Sequence, residues 1–182
     1  MWMPLHTAAR TIRQGGVIAY PTEGVYGLGC DPLRRAAVER ILRIKRRDPG
    51  AGLILLGASS EQLEPFLYVT AEERARMNEH WPGAVTFLAP ASDAVPHWIQ
   101  GRHATVAVRV SEHPLARRLA ELAGTPVVST SANRSGRPST VNVFQLRRQL
   151  GAELDFVVNG DCLRPGKAST IIDLASGDKL RD

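Results

Sequence analysis

The amino-acid sequence predicts an α/β fold in one domain, with a mixed sheet rather than a purely parallel one. Short apolar runs bounded by glycine or proline alternate with segments that repeat apolar residues at helical spacing. The order of these elements allows several antiparallel neighbours. A chain of 182 residues with 43% hydrophobic content can bury one sizeable core. We therefore expect a single domain over residues 1–182.

The chain begins with a predicted helix and strand. Apolar residues recur at helical spacing over residues 5–12, and Gly15 and Gly16 then break the pattern. Residues 17–20 form a short apolar run that a proline closes, as in a buried strand. Residues 21–31, which contain several glycines, are predicted to be a loop.

The second predicted helix has an unusual lysine. Its apolar stripe consists of Val38, Ile41, Leu42 and Lys45, at positions i, i+3, i+4 and i+7. Lys45 thus continues the apolar stripe instead of the solvated face. The sequence Asp-Pro-Gly at 48–50 stops the helix, and residues 53–56 are predicted to form a strand.

In the middle of the chain, a helix over residues 71–80 and a strand over 85–88 precede a strictly alternating segment. Three valines occupy one face of residues 105–110, and Arg109 shares the other face with threonine and alanine. Small neighbours leave room for a ligand beside the guanidinium group of Arg109.

The last third of the chain begins with a helix from Pro114 to Ala123, which Gly124 ends. A strand over residues 126–128 then leads into a hydroxyl-rich loop at 129–133. The remaining predicted elements are a helix at 143–150, a strand at 156–158 and a last strand at 169–174.

The charge balance favours polyanionic partners. Lys and Arg outnumber Asp and Glu by 23 to 18, for a net charge of +5 and a pI near 9.8. No stretch reaches the roughly 18 consecutive apolar residues that a membrane span needs. Cys30 and Cys162 form no CxxC pair, so neither a disulfide framework nor a zinc site is indicated. We expect a cytoplasmic protein without membrane contact.

Neither GxxxxGK[ST] nor GxGxxG occurs, so a nucleotide site must be built in another way. The candidates are Lys45, Arg46 and Arg47 at a helix end, Arg109 on a strand, and the loop at 129–133. A guanidinium matches phosphate oxygens, an ammonium is a compact charge, and Ser or Asn adds neutral hydrogen bonds. The five histidines have no ligand spacing, so no metal site built from protein side chains is predicted.

Each candidate also has a structural explanation. Lys45, Arg46 and Arg47 could complement the negative end of a helix. Arg109 could form an internal salt bridge, and residues 129–133 could be turn formers that bond to their own backbone. Thr22 and Tyr26 could be ordinary loop residues. Spacing alone leaves these alternatives open.

Five motifs in one order carry a resemblance to a known family. They are PTEGVYGL at 21–28, KRR at 45–47, WPGAVT at 81–86, AVRV at 107–110 with a following His-Pro, and STSAN at 129–133. The chain closely resembles the YrdC/Sua5 family of threonylcarbamoyl-AMP synthases, from about residue 17 to 173. It resembles the short form of that family, without the additional C-terminal domain of the long form.

The resemblance implies a twisted, mixed parallel/antiparallel sheet flanked by helices around a basic concave cleft. It also implies an enzyme that makes L-threonylcarbamoyladenylate and pyrophosphate from L-threonine, bicarbonate and ATP, with Mg²⁺ bridging phosphate oxygens. A threonylcarbamoyl transferase complex would then modify position 37 of ANN-decoding tRNAs. Direct contact with tRNA or double-stranded RNA is a further possible partnership.

The family's residue roles transfer to positions that match its motifs. The KxR element falls on Lys45 and Arg47 and the SxN element on Ser131 and Asn133, which implies catalytic and ATP-binding roles. ATP contacts are also implied for Arg109, Ser129 and Ser169, the last beside Thr170. Substrate contacts are implied for Thr22, Tyr26 and Arg109. The loop over residues 134–142 is expected to cover the bound nucleotide.

One position departs from the family. Many relatives carry a lysine shortly after the KxR element, where this chain has Ala51. Either Arg46 or another basic group compensates, or the affinity for ATP is lower. Two other functions stay open: an RNA-binding module without chemistry, and a carbamoyl-adenylate domain of metallocentre maturation, which uses a related fold.

Overall fold

The computed structural model describes residues 3–181, which form one mixed sheet with helices packed against it. The strands are β1 Ile18–Pro21, β2 Tyr26–Gly29, β3 Ile54–Gly57, β4 Val85–Pro90, β5 Thr105–Val110, β6 Val127–Ser131, β7 Phe156–Val157, β8 Thr170–Asp173 and β9 Lys179–Arg181. The helices are α1 Met3–Arg13, α2 Arg35–Lys45, α3 Ser60–Leu63, α4 Ala71–Asn78, α5 His97–Gln100, α6 Pro114–Ala123 and α7 Val143–Leu150.

The sheet has the strand order β7-β1-β2-β6-β3-β5-β4-β8-β9 within the described residues. The pairs β1–β7, β3–β5 and β4–β8 are parallel, and the other neighbours are antiparallel. This arrangement confirms the predicted α/β fold with a mixed sheet. None of the helices in the described part of the chain is both long enough and apolar enough to cross a bilayer.

The two faces of the sheet bury separate apolar clusters. Side chains alternate along a strand, so Ile18 and Tyr20 of β1 pack with α1 and α6 on one face. Ala19 points to the other face, where it joins a larger cluster that includes the apolar stripe of α2. The helices α1 and α6 cover Leu56 of β3 but leave other positions of the same face open.

The predicted loop at residues 21–31 is wrong in part, because it contains β2. This strand pairs antiparallel with β1 and β6. Its glycines suggested a loop, but Gly29 is needed inside the sheet. A Cβ at Gly29 would lie 2.6 Å from the Tyr20 ring, so only glycine fits beside that side chain.

Two further boundaries differ from the prediction. Ser129 and Ser131, predicted in a loop, belong to β6, because pairing with β2 and β3 satisfies their backbone. The strand at 169–174 is not the last one, since β9 pairs antiparallel with β8. All three residues of β9 are exposed, so no apolar pattern in the sequence indicated this strand.

Candidate active site

A cavity of about 610 Å³ lies on the sheet face that α1 and α6 cover only in part. Strands β3, β5 and β6 run beneath the helices and then beneath the cavity. Leu56 therefore packs under the helices, while Ile54, two residues away on the same face, lines the cavity. On β5, Ala107 beside Arg109 leaves the space that the alternating pattern predicted. The position of the cavity therefore follows from where helices end on a shared sheet face.

The cavity is strongly basic. Among the described residues that line it, Arg47, Arg109, Lys167 and Arg181 are cationic, and none is Asp or Glu. Hydroxyl groups are plentiful, from Thr22, Thr105, Ser129, Thr130, Ser131, Ser139 and Ser169. Such a lining offers charge-assisted and neutral hydrogen bonds to a polyanion.

Arg109 lines the cavity and also forms an internal ion pair. The residue is 5% exposed, and its Nη1 lies 3.4 Å from Oε2 of the buried Glu23. Its Nε has no hydrogen-bond partner among the described residues. The salt bridge and the ligand contact that the sequence left as alternatives are therefore compatible with each other.

Lys45 is buried, 2% exposed, at the end of α2. Its Nζ donates hydrogen bonds to the backbone oxygen of Ser131 and to Asn133 Oδ1 (2.9 Å) and O (3.0 Å). Burial and the nearby charge of Arg47 lower the pKa of Lys45 to about 8. The lysine does not line the cavity itself; it contacts the Ser131 segment that does.

Arg47 reaches the cavity because α2 ends with a left-handed residue. Arg46, at φ 52°, turns the chain, and the backbone N–H groups of Arg46 and Arg47 bond back to the last turn of α2. Arg47 Nη2 donates to the carbonyl of Gly52 at 3.1 Å, while its Nε has no partner among the described residues. Arg46 itself is exposed and lies outside the cavity lining.

The side chains of Ser131 and Asn133 are joined, because Ser131 Oγ donates to Asn133 Oδ1 at 2.6 Å. Asn133 Nδ2 donates to the carbonyl of Arg137. Asn133 thus bonds to its own loop, as a turn former does, and stays outside the cavity lining. Ser129 and Ser131 line the cavity.

Two of the predicted substrate-binding residues, Thr22 in the β1–β2 connection and Tyr26 at the start of β2, point to different places. Thr22 lines the cavity, and its hydroxyl donates to the carbonyl of Val25 at 2.7 Å. The Tyr26 hydroxyl points elsewhere, because it donates to the carbonyl of Gly160 at 2.6 Å and accepts from the Gly160 N–H at 3.2 Å. Tyr26 thereby holds the loop that precedes β8.

Ser169, directly before β8, belongs to a chain of polar contacts. Its hydroxyl lies 3.0 Å from that of the buried Thr86, and Arg181 Nη2 donates to its carbonyl at 2.8 Å. Burial and the charge of Arg109 lower the pKa of Arg181. Both guanidinium groups belong to residues that line the same cavity.

Sequence reasoning missed two of the four cations of the cavity, Lys167 and Arg181. Neither lies in a motif or on a periodic element; contacts formed at a distance in sequence bring them to the cavity. Arg46 does not fill the place of the lysine absent at Ala51. Lys167 and Arg181 line the same cavity as Ala51 and supply positive charge there.

The described residues contain no cluster of three or more His, Cys, Asp or Glu side chains that could hold a metal ion. With its cations, hydroxyls and apolar floor, the cavity suits a phosphorylated ligand that carries an uncharged ring.

Comparison with known proteins identifies the family of this chain. A model of the Sua5/YciO/YrdC family, described as "Telomere recombination", matches residues 10–181. The threonylcarbamoyl-AMP synthase of Nitrosococcus oceani is 51% identical over 175 residues, which cover 96% of this chain and 95% of that protein. The threonylcarbamoyl-AMP synthase of Cellvibrio japonicus is 45% identical and covers 96% of this chain and 93% of its own length.

Solved structures share the fold. The structure of P. abyssi Sua5 complexed with L-threonine has a TM-score of 0.90 and 38% identity, covering 96% of this chain. This chain spans about half of that protein, 52% of its length. E. coli YciO has a TM-score of 0.86 and 28% identity, and covers 98% of this chain and 90% of its own length. The chain therefore belongs to the Sua5/YciO/YrdC family.

Proposed function

We propose that this protein is a threonylcarbamoyl-AMP synthase, which forms L-threonylcarbamoyladenylate and pyrophosphate from L-threonine, bicarbonate and ATP. The observation that carries the proposal is the cavity itself, whose described lining has four cationic residues and no carboxylate. A relative with 51% identity over nearly the whole chain is named for this activity, and a homologous structure contains L-threonine.

The chemistry requires two bond-forming steps. The neutral amine of threonine attacks carbon dioxide or bicarbonate and gives a carbamate, with loss of a proton and, from bicarbonate, of hydroxide. A carbamate oxygen then attacks the α-phosphorus of ATP, and the bond from that phosphorus to the oxygen between the α- and β-phosphates breaks, which releases pyrophosphate. Negative charge accumulates on the phosphate oxygens, so fixed positive charge lowers the barrier.

The described residues suggest a division of the cavity. Arg47 and Ser131 would bind the phosphates, with Lys45 and Asn133 holding Ser131 in place from behind. Thr22 would contact L-threonine, and Ser169 would contact ATP. In this proposal Ser129 and Arg109 lie between the phosphate-binding and the threonine-binding residues. There the carboxylate of threonine and the phosphates of ATP would come close to each other.

Mg²⁺ would enter the cavity already bound to ATP. Mg²⁺ is commonly held by phosphate oxygens and water with few protein ligands. The described part of the cavity lining fits this mode, since it offers hydroxyl groups but no carboxylate as a metal ligand. When bound with ATP, the metal would neutralise part of the phosphate charge.

The adenylate product is a mixed anhydride and must be consumed by a group transfer. We propose that a threonylcarbamoyl transferase complex in the cytoplasm uses it to modify position 37 of ANN-decoding tRNAs. The net charge of +5 would favour a transient approach of tRNA.

Pyrophosphate release by the purified protein tests the proposal, with each of L-threonine and bicarbonate omitted in turn. We expect release only with both. Arg47→Ala should lower kcat/KM by about ten- to a hundredfold, because a charged phosphate contact of about 1.5–3 kcal/mol is lost.

The matched control is Arg46→Ala, which removes an identical charge from the adjacent residue outside the cavity. We expect it to change kcat/KM by less than about threefold. No release by well-folded wild-type protein would contradict the proposed function and favour an RNA-binding module. Equal losses in the two variants would contradict the phosphate contact proposed for Arg47.

A further inference from the structure

Glu23 is a buried carboxylate that none of the motif-based roles uses. It lies in the connection between β1 and β2, next to Thr22, and is 2% exposed. Buried carboxylates are costly unless charges and hydrogen bonds compensate them. Its contacts therefore indicate what it is kept for.

The two oxygens of Glu23 have different environments. Oε1 accepts hydrogen bonds from Ser111 Oγ at 2.6 Å and from the Glu112 N–H at 2.9 Å. Oε2 accepts no hydrogen bond and faces Arg109 at 3.4 Å. One oxygen fixes the carboxylate to the end of β5, and the other presents its charge to Arg109.

Arg109 is correspondingly left with unused donors. Its pairing with Glu23 is through charge, without a hydrogen bond to Oε2, and its Nε is also unpartnered within the described residues. A guanidinium that lines a cavity, with its charge compensated on one side and no hydrogen bond to the described residues, is arranged to receive an anion. Removal of the carboxylate would leave Arg109 near Arg181 with no counter-ion.

The segment around Glu23 also forms the cavity wall. Thr22, Gly24 and Val25 line the cavity, and the backbone carbonyl of Glu23 accepts the N–H of Arg164 at 2.7 Å. The charge of Glu23 thus lies directly behind the wall that the proposed amino-acid substrate would contact.

We propose that Glu23 is a positioning residue, which holds the Arg109 guanidinium so that its free N–H groups face the carboxylate of L-threonine. The inference rests on the proposed function. Glu23 acts through Arg109 and does not touch the substrate. Its loss should weaken threonine binding and leave ATP binding largely unchanged.

The test uses Glu23→Gln, which keeps an acceptor for Ser111 and Glu112 and removes the charge. We expect the KM for L-threonine to rise about tenfold or more, with kcat and the KM for ATP changed less than about threefold. In an Arg109→Lys background the same substitution should add little, because one interaction is already lost.

The matched control is Ser111→Ala, which removes a hydrogen bond from the same carboxylate and keeps its charge. It should lower the melting temperature and change the KM for threonine less than about threefold. Equal kinetic changes in the two single variants, or an undiminished effect of Glu23→Gln in the Arg109→Lys background, would overturn the proposal.

Two further measurements test the role of Glu23 if Glu23→Gln does not fold or if the wild type shows no activity. If Glu23→Gln is unfolded, Glu23→Asp keeps the charge, and a KM for threonine below that of Arg109→Lys supports the proposal, whereas an equal KM overturns it. If the wild type releases no pyrophosphate, the proposed function fails separately. Calorimetric titration of wild type and Glu23→Gln with L-threonine then decides: weaker binding by the variant supports the positioning role, and equal or absent binding to the two overturns it.

Discussion

Lys45 combines a structural and a chemical role at one position. Its place on the apolar stripe of α2 buries the aliphatic stem, and its Nζ reaches the backbone and side-chain oxygens of Ser131 and Asn133. No carboxylate pairs with it in the contacts that the described residues make. Its charge is therefore compensated by dipoles and remains available to attract phosphate.

The pH dependence of activity should report the titration of Lys45. Its pKa is lowered to about 8, so the residue loses its proton as the pH rises through that value, and phosphate binding should weaken. We expect kcat/KM for ATP to fall on the alkaline side with an apparent pKa near 8. Deprotonation of the threonine amine has the opposite effect: it raises the rate as the pH rises, because the neutral amine is the nucleophile.

Lys45→Arg provides the control for this prediction, since a guanidinium stays protonated throughout the range. Kinetics at saturating threonine from pH 6 to about 10 should show no fall near pH 8 in this variant. An alkaline fall of the same size and position in both proteins would rule out Lys45 as its origin.

Among the elements, the β1–β2 connection and the loop at residues 160–169 act as one unit. Gly166 N–H donates to the Gly24 carbonyl at 2.8 Å, and Tyr26 holds Gly160. This contact places Lys167 and Ser169 at the cavity. Two segments about 140 residues apart in sequence therefore build one wall.

Gly24→Ala should disrupt this wall. A Cβ at Gly24 would lie 1.6 Å from the Lys167 carbonyl oxygen, so the loop must move. We expect a loss of about 1–3 kcal/mol in the free energy of unfolding, measured in urea, and at least about a tenfold fall in kcat/KM.

Gly151→Ala is the matched control for Gly24. Its backbone is helical at φ −55°, and the nearest atom to an added Cβ would be 3.7 Å away. It should be neutral or slightly stabilising. A Gly24→Ala protein as stable and active as Gly151→Ala would contradict the role given to this contact.

On the scale of the whole molecule, an exposed loop lies beside the cavity. The loop at residues 134–142 is anchored at its ends, where Ser135 N–H donates to the Lys45 carbonyl and the Thr140 carbonyl accepts from the Tyr26 N–H. Between the anchors, residues 135–138 are exposed, and Ser139 lines the cavity.

We predict that this loop covers the bound nucleotide. Limited proteolysis with subtilisin should cut residues 135–139 of the free protein and cut them several-fold more slowly with ATP and L-threonine, because covered segments open less often. Cleavage near the exposed residues 13 and 14 serves as the internal control. Unchanged cleavage at 135–139 in the presence of ligands would count against closure of the loop.

The sequence by itself determined most helices, the alternation of β5 that aims Arg109 away from the core, and the unusual phase of Lys45. These follow from local periodicity, because each is fixed by spacing within one element. The motifs in their order also identified the family. Local signals did not indicate β2 or β9, since glycine or exposed residues compose them and only pairing makes them strands.

Tertiary structure alone decided which side chains meet. It brought Lys167 and Arg181 to the cavity and turned the Tyr26 hydroxyl to Gly160. It also paired Glu23 with Arg109, 86 positions apart (109 − 23). Such contacts depend on how distant segments pack against a shared sheet face, which no local pattern encodes.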